Sequence, residues 1–143
     1  VGQTESIKTI IHFKETKMEK ISQFVARLFL GQIFLLAGIS KISSYAGTQG
    51  YMDAMGVPGT LLPLVIALEI GGGLAIIAGW QTRLTSIALA VFTLAAAAIF
   101  HNNLADQTQM IMFMKNIAIA GGFMLLAVHG AGGYSLDSRR ARP

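Results

Sequence analysis

Six residues offer groups that chemistry could use in an otherwise apolar sequence: Arg27, Lys41, Glu69, His101, Lys115 and Asn116. Glu69 is the most demanding of them. It stands near the middle of Leu61–Trp80, LLPLVIALEIGGGLAIIAGW, an apolar run about one bilayer thick. A carboxylate at that depth costs roughly 3 kcal/mol on insertion scales. It must therefore be paired, protonated or wetted. One reading is a polar pocket. Glu69 or His101 would exchange a proton there, and Lys41, Lys115 and Asn116 would hydrogen-bond a polar head group. A second reading is a buried ion pair of Glu69 with Arg27 or Lys115 that holds helices in register. A third has Glu69 facing a partner subunit.

Several chemistries are excluded by what the chain lacks. It has no cysteine, which removes disulfides, iron–sulfur clusters, thiolate metal sites and dithiol relays. His101 and His129 fall at opposite ends of their helices and His12 lies outside the apolar spans, so a haem between two histidines of one chain is not expected. No cluster of His with carboxylates has metal-ligand spacing, and no covalent or metal cofactor is expected. No Gly-rich loop follows a strand, as a nucleotide fingerprint would require. The net charge of +4 is not interleaved with aromatic residues, so no nucleic-acid partner is implied.

The elements that must position these groups are membrane helices. Apolar residues make up 53% and charged residues 13% of the 143 residues, with a mean hydropathy of +0.59. Soluble proteins carry about 25% charged residues, so the lipid bilayer is the expected surrounding. The pattern predicts an all-α membrane protein, a bundle of four transmembrane helices over residues 21–129: Ile21–Ser40, Leu61–Trp80, Arg83–Phe100 and Gln109–Val128. A polar N-terminal segment, 1–20, precedes it, and Met18 reads as a natural start with residues 1–17 upstream of it. A loop over Lys41–Gly59 and a polar connection over His101–Gln107 join the spans, and a basic tail, 130–143, follows. Four spans put both termini and the Gln81-Thr82 turn on one side. Nine of the eleven Lys and Arg residues fall there, against Lys41 and Lys115 on the other. That bias predicts cytoplasmic termini.

A rise of about 1.5 Å per residue across about 30 Å of hydrocarbon sets depths. Glu69, Lys115 and Asn116 fall at nearly one level in the outer half. Lys41 and His101 lie above them and Arg27 below. Arg83 and Trp80 are expected to anchor at the inner boundary, His129 to be interfacial, and the methionines of Met110–Met114 to face lipid. Small residues let helices meet in lipid. Gly71, Ala75 and Gly79, then Ala88, Ala95 and Ala98, then Ala118 and Gly122 are expected to line the bundle interior.

The order of motifs adds a resemblance. RLFLGQIFLLAGISK (Arg27–Lys41), ALEIGGGLAIIAGWQTRL (Ala67–Leu84), a His closing the third span, KN in the fourth, and GAGGYSLD (Gly130–Asp137) together resemble the DoxX family of bacterial membrane proteins. The likeness extends over about residues 20–138 and implies four helices in the inner membrane. It also implies that Arg27, Lys41, Glu69, Arg83, His101 and Asn116 are recurrent polar positions. Relatives of that family are associated with a thiosulfate:quinone oxidoreductase and with complexes of oxidative-stress and thiol homeostasis. Three functions are then in play. The chain could be a quinone-interacting subunit of a membrane oxidoreductase, a permeation protein for a small solute, or a non-catalytic scaffold for a partner complex or a second copy.

Overall fold

The computed structural model describes residues 1–13 and 16–141; Lys14 and Arg142, counted above toward the basic side, lie outside them. The described residues form helices and no strands: α1 (Gly2–Phe13), α2 (Lys17–Ser43), α3 (Tyr45–Ala54), a 3-10 turn (Gly59–Leu61), α4 (Leu62–Ala78), α5 (Thr82–Phe100), α6 (Gln107–His129) and the short α7 (Leu136–Arg140). Lys17–Ser43, Gly59–Ala78, Thr82–Phe100 and Gln107–His129 are long and apolar enough to cross a membrane.

Local chemistry explains the ends. Thr16 and Glu19 form a reciprocal capping box that starts α2. Pro63 sits in the first turn of α4, where its missing N–H costs nothing. Gly79, at φ +71°, closes α4. Its N–H donates to Ile76 and that of Trp80 to Ala75, the paired bonds of a Schellman turn. Asp106 caps α6 through the Gln109 N–H at 2.9 Å.

α2 packs most closely on α4, and α5 on α6, while the two pairs meet more loosely. The α2–α4 contact is built from glycine. A Cβ on Gly31 would stand 2.7 Å from the Gly73 carbonyl oxygen, and one on Gly73 would stand 2.7 Å from that of Gly31. The expected small-residue faces are used only in part: Gly79 is buried, and a Cβ on Gly122 would stand 3.2 Å from the Leu30 side chain of α2. Gly71, Ala88, Ala95, Ala98 and Ala118 are exposed. The interior uses Gly72 and Gly73 instead, with Ser86, Leu89, Ala90, Thr93 and Ala97 of α5 and Ala120 and Phe123 of α6. Runs such as GGG and AAAA offer a small residue to every azimuth, so their spacing cannot set the phase.

The segment expected as a loop after Lys41 is also different. Tyr45–Ala54 is helical despite Gly47 and Gly50. Tertiary contacts hold it: Met52 is buried, and Tyr51 stacks on Phe100 with centroids 5.5 Å apart. Gly59 N–H donates to Asp53 at 2.7 Å, and Gln49 donates to the Gly59 carbonyl at 3.2 Å. α3 thereby folds across one end of the bundle. The tail folds across the other, against the α4–α5 turn, where the Asp137 N–H donates to the Gly79 carbonyl at 2.8 Å.

Candidate functional site

A cavity of about 480 Å³ lies at the α3 end, between the two helix pairs. α2 contributes Ile33, Phe34, Ala37 and Lys41; α4 contributes Val65 and Glu69; α5 contributes residues from Phe92 to Phe100; α6 contributes Asn116 and Ile119. Thr48, Tyr51 and Met52 of α3 complete the wall, with His101 just beyond α5. Below it the bundle is packed shut. Phe34 makes edge-on contacts with Phe92 and Phe123, at 6.4 and 5.4 Å, and Ile76 and Leu89 are fully buried beside them.

Glu69 is 4% exposed. Lys41 reaches it from the last turn of α2, with Nζ 2.9 Å from Oε1. Gly38, one turn before Lys41, is what allows this. A Cβ there would meet the Ile70 side chain at 2.6 Å and the Glu69 Cβ at 3.2 Å, so α2 can lie against α4 at that level. The second carboxylate oxygen, Oε2, is buried with no partner among the described residues. The Thr93 hydroxyl is in the same state, and both residues line the cavity. Leaving such a group unsatisfied costs about 1–3 kcal/mol. His101 Nδ1 lies 2.9 Å from Gln109 Oε1. An amide oxygen only accepts, so Nδ1 carries the proton and Nε2 is the nitrogen left for a ligand.

The structure therefore brings together Glu69, Lys41, His101 and Asn116 on one cavity. It leaves out the other two residues expected there. Lys115 is exposed and does not line the cavity. It shares a level with Asn116, but successive helical residues point about 100° apart, and depth alone does not choose between them. Arg27 is fully buried but belongs to the opposite end. Its guanidinium donates to the Ile76 and Ile77 carbonyls, at 3.3 and 2.8 Å, and to that of Tyr134. The ion pair of Glu69 is thus made with Lys41, not with Arg27 or Lys115. Thr93 and Tyr51 were not singled out from the sequence. The signal for Thr93 was a lone hydroxyl in the apolar run AVFTLAAAA.

The residues of the tail end have capping roles. Arg83, exposed, donates to the Ala127 and Val128 carbonyls at the end of α6, at 3.1 and 2.5 Å. Asp137 accepts from the Gln81 and Thr82 N–H groups at 2.8 and 2.9 Å and so caps α5 from a distance. Burial works against its charge. These N–H groups, with Arg140 nearby, outweigh that and hold its carboxyl below the usual range. Trp80 and His129 are exposed at this end. Among the described residues no group of His and carboxylates could hold a metal ion.

Four apolar helices, a glycine-built contact and a half-depth cavity define a small multi-pass helical membrane protein. The chain belongs to the DoxX family, whose model matches residues 22–102. It is 54% identical over 121 residues to the inner membrane protein YqjF of Escherichia coli, across 85% of this chain and 93% of that protein. It is 33% identical over 141 residues to the inner membrane protein YphA of the same organism, across 93% of this chain and all of that protein. A Bacillus subtilis protein named "Putative oxidoreductase CatD" is 24% identical over 115 residues, across 76% of this chain and 86% of that protein. No solved structure matches. With these relatives and its four apolar helices, the chain is a multi-pass inner membrane protein.

Proposed function

We propose that this chain is the membrane subunit of a quinone-linked oxidoreductase or redox-homeostasis complex, and that the cavity around Glu69 receives a quinone head group. One observation carries the reading. A carboxylate with an unpartnered buried oxygen, paired to a lysine on its other side, lines a mostly apolar cavity of about 480 Å³. Ligand sites commonly have this composition and size. Apolar walls would hold the ring, and exposed lining residues such as Ile33 and Ile99 would give an isoprenoid tail a path to lipid. A bound quinone would supply two-electron redox chemistry. The chain's part would be to orient the ring between Phe34, Phe92 and Asn116, to exclude water, and to accept protons at Glu69 and His101. The oxidoreductase name of the distant Bacillus relative agrees in kind.

The packed floor of Phe34, Phe92, Phe123, Ile76 and Leu89 favours a dead-end site over a solute path. A scaffold role draws on α6 instead, which exposes Lys115 and is the least buried of the four spans. We place both termini in the cytoplasm, on the strength of the Lys and Arg bias, so that the cavity would open on the periplasmic side. The test is native mass spectrometry in mild detergent, with extraction of bound quinone. Wild type should carry quinone, and Ala96→Trp, which fills the cavity from α5, should not. Wild type that carries none and binds none when it is added would end this reading, and a co-purified subunit in its place would favour the scaffold.

A further inference from the structure

The polar atoms of the cavity have a direction. Resting on the proposal that a quinone head group binds there, we infer that the site selects the reduced, hydroxyl-bearing form over the oxidised, carbonyl-bearing form.

Glu69 lines the cavity, and Oε2 is the carboxylate oxygen that Lys41 does not engage. That oxygen is buried, unpartnered and able only to accept. Lys41 already donates to the other oxygen of the same carboxylate. Its ammonium is at the rim, with the side chain 28% exposed, so water reaches its remaining protons. His101 points the same way. Gln109 Oε1 accepts from Nδ1–H, and in that tautomer Nε2 carries the lone pair. Thr93 Oγ1, buried and unpartnered, can donate or accept and so adapts to either form. Asn116 can do likewise.

A hydroxyl placed at Oε2 satisfies that oxygen with a charge-assisted hydrogen bond, the stronger kind. A carbonyl placed there sets lone pair against lone pair and leaves the carboxylate unsatisfied. A buried acceptor without a donor costs about 1–3 kcal/mol, and 1.4 kcal/mol is tenfold in affinity. The hydroquinone should therefore bind about tenfold tighter than the quinone, or more. A site with this preference would also raise the reduction potential of the bound couple, because it stabilises the reduced member.

The experiment is calorimetric titration of the purified full chain in mild detergent with decylubiquinone, and anaerobically with its hydroquinone. Wild type should favour the hydroquinone by about tenfold or more. Glu69→Gln, whose amide can donate, should bring the two affinities together or reverse their order. Equal affinities, or tighter binding of the quinone, would overturn the selectivity while leaving the binding site in place. The same holds if a folded Glu69→Gln protein keeps the full preference. If neither form binds, the binding-site proposal fails and the selectivity fails with it. The wild-type comparison decides even where the variant does not fold.

Discussion

Arg27 and Glu69 are both buried charges within membrane spans, and each offsets the cost of burial differently. Arg27 directs its two terminal guanidinium nitrogens to three backbone carbonyls, two of them at the C-terminal end of α4, where a cation also complements the helix dipole, and only its Nε is left without a partner among the described residues. Glu69 has one cation for one oxygen and nothing for the other. The first arrangement reads as structural; the second is where a ligand could add something. Asp137 gives the residue scale its own test, outside the membrane. Its carboxyl is held below the ordinary value of 3.8 in the folded chain. Its contribution to stability is therefore complete above about pH 4 and is lost as pH falls through the lower, folded value. Melting of the detergent-solubilised protein between about pH 3 and 6 should show a fall at the acid end. Asp137→Asn should be less stable than wild type at the upper end and should converge on it in acid. A constant gap between the two across that range would show that the carboxylate charge is not what caps α5. Asp137 was visible in the sequence only as part of GAGGYSLD. Its partners, Gln81 and Thr82, lie more than fifty positions away, and no local pattern announces such a cap.

At the scale of elements, the four spans were legible because about twenty apolar residues in a row have few other uses. Their boundaries moved by a few residues, and α2 by more, since the capping box at Thr16 starts it earlier than its apolar run does. The faces were legible only in part. Gly71, Gly72 and Gly73 are equivalent in sequence, yet only two of them meet another helix. A Cβ on Gly71 has nothing within 4 Å, whereas one on Gly73 would stand 2.8 Å from the Leu35 backbone nitrogen as well as 2.7 Å from the Gly31 oxygen. Backbone cannot yield as a flexible side chain can. Gly73→Ala should therefore separate α2 from α4 and cost about 2 kcal/mol or more. Gly71→Ala should be neutral or slightly stabilising, since alanine is the better helix former. Thermal melts of the two variants, side by side in one detergent, make the comparison. Equal effects would mean that the glycine contact is not what fixes α2 on α4. The consequence reaches the site, because the same contact holds Lys41 against Glu69 through Gly38.

At the scale of the whole molecule, both ends of the bundle are closed by segments that looked like connections. α3 covers the cavity end, and the tail is locked by Arg27 and Asp137 beneath the α4–α5 turn. The sequence placed four of the six expected polar residues at the cavity end by depth alone, because helical rise is fixed. It could not exclude Lys115, because azimuth is set by which neighbour each helix finds. It misplaced the pairing role of Arg27, because backbone carbonyls, which are absent from any sequence pattern, turned out to be its partners. What the bundle does depends on which way it faces, since the cavity has one open end and a packed floor. The absence of native cysteine makes this testable without background. Gly47 is exposed on α3, with open space where a Cβ would go, and Ala141 is exposed beyond α7. With both termini in the cytoplasm, Gly47→Cys should react with a membrane-impermeant maleimide on cells whose outer membrane has been permeabilised. Ala141→Cys should react only after the inner membrane is broken. The opposite pattern would turn the cavity toward the cytoplasm. Any proton exchange at Glu69 or His101 would then be with that compartment, against the distribution of Lys and Arg along the chain.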